Sequence, residues 1–256
     1  MKRIRVILVL LLKNNGLYKP HKFKNPKYIG DPINAVKIFN EKEVDEIVIL
    51  DIDATTKKKE PNYKLIEEIA SECFMPMAYG GGINELSQAK KLFKLGVEKV
   101  VLNYAAYTNP HLIHEIASQY GNQSVVCSID VGKNWLGKYY SALINGTKSV
   151  KETPIDLAKK YVQHGAGELF ITAIYKENTY SGYDIELIKS ITESVSVPVI
   201  ASGGASSIKD FTDVINIGRA SAVAAGSLFV FYGKEKGVLI NFPSPEKLKN
   251  ELFSKL

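Results

Sequence analysis

The chain predicts an α/β fold, a closed (β/α)8 barrel built from two duplicated half-barrels. Three observations carry that expectation. Eight strand-length apolar runs alternate with eight amphipathic stretches along 256 residues, the order of a parallel sheet with crossover helices. The length suits a single barrel domain, and 45% hydrophobic residues can fill its core. The phrase MPMAYGGG (75–82) returns as VPVIASGG (197–204), placing Gly81 and Gly203 122 residues apart. The flanking phrases keep that offset: VDEIVILDID returns as AGELFITAIY, and GVEKVVLNYA as GRASAVAAGS. This period is too long for a solenoid unit. It indicates half-barrels of about 1–122 and 123–256, with a two-fold site holding both ends of one ligand.

The first strand is expected near 4–12. Its surroundings, MKRIRVILVLLLKNN, imitate a signal peptide, but the apolar run Val6 to Leu12 ends on Lys13 with no small-residue cleavage site. It is also far too short to span a bilayer, so it reads as a buried parallel strand. The remaining strands are expected near 46–53, 75–79, 98–103, 123–131, 167–174, 197–202 and 220–226. Helices are expected between and after them near 32–42, 61–72, 85–95, 109–119, 153–164, 183–193, 207–217 and 244–254. The stretch 85–95 shows the logic: Asn84 caps, Leu86, Ala89, Leu92 and Phe93 make a buried stripe, and Gly96 stops the helix. Three connections exceed what packing requires, 13–31, 132–152 and 175–182, all on the strand C-terminal side where barrel chemistry takes place. The first two are repeat equivalents and are expected to fold over the mouth as a pair.

Composition narrows the partners. Thirty-three Lys and Arg against 27 Asp and Glu give +6, a modest excess scattered over helix faces. No basic stripe with interleaved aromatics supports nucleic-acid binding. Cys73 and Cys127 have no metal or redox spacing, and His21, His111, His114 and His164 form no ligand motif. A cytoplasmic, metal-free, thiol-reduced protein without a cofactor is expected.

Two glycine turns carry the phosphate signal. Gly80-Gly81-Gly82 ends the third strand and Asn103 the fourth; Gly203 and Gly204 end the seventh, and Gly226-Ser227 ends the eighth before a short helix. Bare N–H groups at such turns bind phosphate oxygens, and the site after strands seven and eight is the usual barrel phosphate site. Two phosphates are expected, one at each side of the mouth. Asp130 at the end of the fifth strand is a catalytic candidate, sharing a face with Ser128 and Val126. Asp51 and Asp53, two apart on the second strand, are both expected to face the mouth.

Together SIDVGK, SGYD, IASGGA, AYGGGI, EIVILDIDA and IGDPINAVKIFNE make the chain resemble, over almost its whole length, the cyclase subunit of imidazole glycerol phosphate synthase. The resemblance implies a duplicated barrel that docks a glutaminase on its bottom face. Ammonia passing through the barrel cleaves and cyclises a substrate with a phosphate at each end. A sister isomerase shares the half-barrel duplication. By this resemblance Asp130 and Lys19 are catalytic candidates, and Asp51 joins them from its place on the second strand. Gly81, Gly82, Asn103, Thr179, Gly203, Gly204, Gly226 and Ser227 would bind phosphate, and Arg5, Glu46, Lys99 and Glu168 would form the ammonia gate. The family's first-strand aspartate falls on Leu11, which can neither accept nor donate a proton. Tyr175, Glu177 and Asn178 replace two aspartates and a glycine in the loop after the sixth strand, and Tyr104 replaces a small hydroxyl residue. Asp53 is a candidate substitute for the missing carboxylate.

Three functions are therefore open. One is a cyclase of histidine biosynthesis. A second is a paralogue that pairs with a glutaminase but hands ammonia to another reaction, similar to proteins of surface-polysaccharide sugar amidation with a separate amidotransferase. The third is a non-catalytic scaffold that activates its glutaminase. Leu11 and the altered loop count against the first, and the floor ring counts for the second and third; the second is the expected one.

Overall fold

Strand β1 (Arg5–Lys13) runs straight into a hairpin, β2 (Gly16–His21) and β3 (Lys24–Gly30), before α1 (Pro32–Asn40) returns the chain to β4 (Glu46–Asp51). There follow α2 (Tyr63–Ser71), β5 (Met77–Gly80), α3 (Leu86–Lys94), β6 (Lys99–Leu102), a short α4 (Tyr104–Thr108) and α5 (His111–Tyr120). The second half keeps that order with β7 (Val125–Lys133), its hairpin β8 (Tyr139–Leu143) and β9 (Lys148–Ser149), α6 (Pro154–Gln163), β10 (Glu168–Ala173) and α7 (Ile185–Thr192). It ends with β11 (Val199–Ser202), α8 (Ile208–Asn216), β12 (Ala222–Ala225), a short α9 (Ser227–Val230), the ribbon β13 (Phe231–Tyr232) and β14 (Gly237–Val238), and α10 (Pro245–Glu251). The computed structural model describes residues 4–233, 235 and 237–256.

Eight parallel strands pair in the cyclic order β1, β4, β5, β6, β7, β10, β11, β12, and β12 closes back on β1. This is the (β/α)8 TIM barrel that the alternation predicts. Strand β1 shows why its sequence is an unbroken apolar run. Val6, Leu8, Leu10 and Leu12 face the helices, whereas Ile7, Val9 and Leu11 face the barrel axis. Both faces are buried, so alternation with polar residues disappears.

Helices are set by local chemistry. At α6, Thr153 Oγ1 accepts from the Asp156 N–H at 3.2 Å and Asp156 Oδ2 accepts from the Thr153 N–H at 3.1 Å. Pro154 fills the first helical position, where no N–H is needed. Such a cap stabilises a helix by about 1 kcal/mol. The expected cap of α3 was off by one residue. Glu85, not Asn84, is its N-cap, because buried Gln88 reaches back to the N–H groups of Asn84 and Glu85 at 2.8 and 3.2 Å.

Two further expectations change. The connections 13–31 and 132–152 are not loops but hairpins that extend β1 and β7, with Leu11 opposite Tyr18 and Asp130 opposite Ala142. Across the mouth, Asn145 in the second hairpin's turn donates to the Ile52 carbonyl at 2.7 Å, so the pair does fold over the barrel. The repeat offset also drifts by one residue after the glycine turns. Asn103 (φ −120°, ψ −78°) corresponds to Gly226 (φ −121°, ψ −63°), each preceding a short helix. The link from α8 to β12 (217–221) is one residue longer than that from α3 to β6 (95–98). Tyr104 and Ser227 are thus structural counterparts.

At the turns themselves the offset is intact. Gly81 has φ +127° and an added Cβ would lie 2.7 Å from the Asp51 carbonyl; Gly203 has φ +94° and would lie 2.7 Å from that of Ala173. Only glycine fits either position. No helix of the described residues is long and apolar enough to cross a membrane.

Candidate active site

The C-terminal mouth holds a cavity of ≈ 440 Å³. Its floor is apolar, made by Val9, Leu50, Val101 and Phe170 from four different strands. Leu11 enters from β1 and Asp130 from β7; Ser128, Thr172 and Ser202 add hydroxyls. Asn103 donates to Asp130 Oδ2 at 3.3 Å and to the Ser128 carbonyl at 3.1 Å, so its amide tethers the carboxylate to the strand.

Asp130 stands against an apolar floor, which penalises its charged form. Burial pushes the carboxyl up to about 7; the Asn103 hydrogen bond opposes the shift, and the nearby Glu177 charge adds to it. A carboxyl near 7 can either give or take a proton at neutral pH. Leu11 offers no second group to share that work.

Asp51 also lines the cavity, but its Oδ1 accepts from the N–H groups of Asp53 and Ala54 at 2.9 and 3.1 Å. Burial raises its pKa, and these backbone bonds hold the rise in check. Asp53 departs from expectation. It does not line the central cavity; its carboxylate pairs with Lys57, which also reaches Asn14 at 2.7 Å. The turn that Asp51 caps swings Asp53 sideways, so strand alternation no longer applies to it.

Lys19 sits on β2 with its ammonium 2.7 Å from Glu177 Oε1, both side chains nearly buried. The loop after β10 is latched to the hairpin around this pair. Asn178 Nδ2 donates to the Pro20 carbonyl at 3.2 Å, and the Lys22 N–H donates to the Glu177 carbonyl at 3.1 Å. Asn178 adopts φ +58°, so it keeps the left-handed conformation expected of glycine there and adds a tether. Tyr175 turns away from the cavity. Its hydroxyl and that of Tyr139 both donate to Asp184, the N-cap of α7, with Lys133 3.8 Å away.

The phosphate candidates divide. Gly81, Gly82 and Asn103 lie on the open cavity, beside Tyr104. Gly226 touches its edge, while Gly203, Gly204 and Ser227 are buried behind the loop that carries Thr179. Thr179 Oγ1 bonds the Lys176 carbonyl at 2.7 Å. Two cavity lysines escaped the sequence reading, Lys58 and Lys59. The run KKK at 57–59, directly after a strand end, was the available signal.

At the opposite end of the barrel the four strand-start charges meet. Arg5 reaches Glu168 at 2.8 Å and Glu46 at 2.5 Å; Lys99 reaches Glu46 at 3.0 Å and Glu168 at 3.3 Å. The result is a closed ring of alternating sign under the apolar interior. Among the described residues no cluster of three or more His, Cys, Asp or Glu could hold a metal ion.

Comparison with known proteins agrees with this architecture. The family described as histidine biosynthesis protein matches residues 5–235. A Pseudomonas aeruginosa protein provisionally named imidazole glycerol phosphate synthase subunit hisF2 is 52% identical over 97% of this chain and 99% of its own. A Vibrio vulnificus protein, provisionally named subunit hisF3, is 47% identical over 98% of this chain and 97% of its own. The Petrotoga mobilis imidazole glycerol phosphate synthase subunit HisF is 40% identical over 86% and 88%. The barrel, its glycine turns and Asp130 therefore belong to a chain of the histidine biosynthesis protein family, a divergent HisF-like member of the imidazole glycerol phosphate synthase cyclase subunits.

Proposed function

We propose that this barrel is a glutaminase-coupled ammonia-delivery subunit that hands ammonia to a reaction other than imidazole glycerol phosphate formation. One observation carries the reading. The charged ring at the barrel floor is complete, whereas the cavity at the mouth has Leu11 where the cyclase chemistry needs a carboxylate. Charges at strand starts gain little from a closed ring if they are only solvated ends. A glutaminase docked over the ring would release ammonia against it. Above the ring the interior is lined by Ile7, Val48, Val126 and Ile200, an environment that favours neutral ammonia over ammonium.

The acceptor would be supplied by a separate amidotransferase, in keeping with surface-polysaccharide sugar amidation. The hisF2 and hisF3 relatives exceed the Petrotoga HisF in identity, which fits a paralogue better than a histidine-pathway enzyme. A soluble, cytoplasmic location accompanies this role. Asp51 is the observation that favours the second reading, a true cyclase, because it is a second carboxylate on the same cavity.

The test is turnover of phosphoribulosyl-formimino-aminoimidazole carboxamide ribotide by the purified barrel with excess ammonium salt at alkaline pH, where free ammonia bypasses any glutaminase. The expected result is no imidazole product from folded protein. A parallel assay with the co-purified glutaminase should show glutamine hydrolysis stimulated by the barrel. Robust product formation would return the chain to the cyclases. Absence of any glutaminase coupling would sink ammonia delivery.

A further inference from the structure

The two sides of the mouth have counterpart turns but unlike surroundings. On the first side Gly81 and Gly82 are half-buried on the open cavity, and Lys58 and Lys59 are exposed beside them and form no ion pair with a described residue. On the second side Gly203, Gly204 and Ser227 are buried. Both cations there are already satisfied internally. Lys19 is neutralised by Glu177 at 2.7 Å. Lys176 Nζ donates to the carbonyls of Ser181, Gly182 and Tyr183 at 3.3, 3.0 and 3.3 Å.

Tyr180 completes the closure. Its hydroxyl donates to the Ser227 carbonyl at 3.2 Å, drawing the loop onto the turn that opens α9. It does so with φ +56°, a conformation costly for an aromatic residue and held only by its surroundings. Lys19 Nζ lies so close to Gly226 that an added Cβ there would sit 2.3 Å from it. A ligand phosphate at this place would therefore meet a closed loop, a cation already paired and the Glu177 carboxylate. Ser227 Oγ and Asn178 Oδ1 are buried here without hydrogen-bond partners; once the loop lifts the hydroxyl could donate to an anion, whereas the amide oxygen, an acceptor only, would take a donor such as water.

The geometry points to Tyr180 as a specificity-determining residue that restricts this cavity to ligands with a phosphate at one end only, taken by Gly81, Gly82, Lys58 and Lys59. This goes beyond the ammonia-delivery reading and rests on the mouth cavity as a ligand site. Such a ligand would be a sugar monophosphate, its phosphate on the first side and its hydroxyls toward Asp130 and Thr172. A sugar bisphosphate would gain nothing from its second phosphate unless Tyr180 were removed.

Calorimetric titration of wild type and Tyr180→Gly with ribulose 5-phosphate and ribulose 1,5-bisphosphate tests this. Glycine is chosen because it relieves the positive φ as it removes the ring. In wild type the two dissociation constants should agree within about threefold. In Tyr180→Gly the bisphosphate should tighten at least tenfold while the monophosphate moves less than threefold. Tyr180→Phe, which keeps the ring and loses the bond to Ser227, should fall between. Lys58→Ala/Lys59→Ala should weaken the monophosphate at least fivefold in both backgrounds. A tenfold or greater preference for the bisphosphate in wild type, unchanged in Tyr180→Gly, overturns the proposal. If neither compound binds either protein, the mouth is not a sugar-phosphate site and the proposal falls with it, while the glutaminase-coupling assay still judges ammonia delivery independently.

Discussion

Asp130 concentrates the electrostatics of the mouth in one side chain. Its pKa is raised to about 7 by burial above Val9, Leu50 and Phe170, against an unfolded value near 3.9. Below about pH 4 the group is protonated in both states and contributes nothing. Between about 4 and 7 the folded protein holds a proton that the unfolded chain has released, so stability falls as pH rises through this window. Above 7 the charged carboxylate stays as a fixed penalty. Three pKa units correspond to about 4 kcal/mol, and contact with cavity water reduces that to roughly half, about 2 kcal/mol. Asp130→Asn keeps the shape and removes the charge. Urea titrations should find the variant equal to wild type at pH 4 and more stable by about 2 kcal/mol or more at pH 8. Equal stability at both pH values would mean that Asp130 ionises as freely in the barrel as in water.

The charged ring ties together four strands that are not all neighbours, and its worth depends on what is left when one member goes. Glu46 is 2% exposed and pairs with both Arg5 and Lys99. Arg5→Met leaves Glu46 and Glu168 with Lys99 alone. Removing one partner of a buried pair costs about 3–5 kcal/mol; the Arg5 side chain is 30% exposed, so about 2–3 kcal/mol is expected. Arg5→Met/Glu46→Gln should recover part of that loss, and strictly additive losses in a double-mutant cycle would show that the pair is uncoupled. The four members of this ring were named through the family resemblance; a charge at the start of an apolar strand suits a solvated strand end equally well, so the pattern alone did not bring them together. The hairpins were not legible either. KNNGLYKPHKFKNPKYIG is lysine-rich and polar although β2 is mostly buried, because the outer strand β3 is largely exposed, and antiparallel pairing of such a stretch is set by β1 rather than by its own pattern. Asp53 was misplaced for a related reason: the Asx turn at Asp51 ends the strand two residues early, which alternation alone does not reveal. Lys58 and Lys59 were absorbed into a general count of basic residues, although their place after a strand end put them at the mouth.

Closure of the barrel mouth couples its two halves, since the first hairpin is held by a loop from the second. Lys19 and Glu177 lie 158 positions apart in sequence and form that link with side chains 3% and 11% exposed. Glu177→Gln would keep a hydrogen-bond acceptor but leave the Lys19 ammonium buried without a counter-charge, a cost of about 3–5 kcal/mol if the hairpin stayed in place. Lifting the hairpin to solvate Lys19 is cheaper, because the outer strand β3 is largely exposed and little apolar surface is lost by opening it. The barrel strands β1 and β4 do not depend on the latch, so global unfolding should change little. Local opening should change much. Lys22 and Lys24, both exposed at the hairpin turn, are natural reporters for trypsin. In Glu177→Gln cleavage at these two lysines should accelerate at least tenfold while the thermal midpoint moves only a few degrees. An unchanged cleavage rate with a large drop in the thermal midpoint would place the ion pair in the barrel's own stability and not in a latch. Tenfold faster cleavage would leave the hairpin as the mobile wall of the mouth, with Tyr180 and Glu177 on the loop that holds it shut.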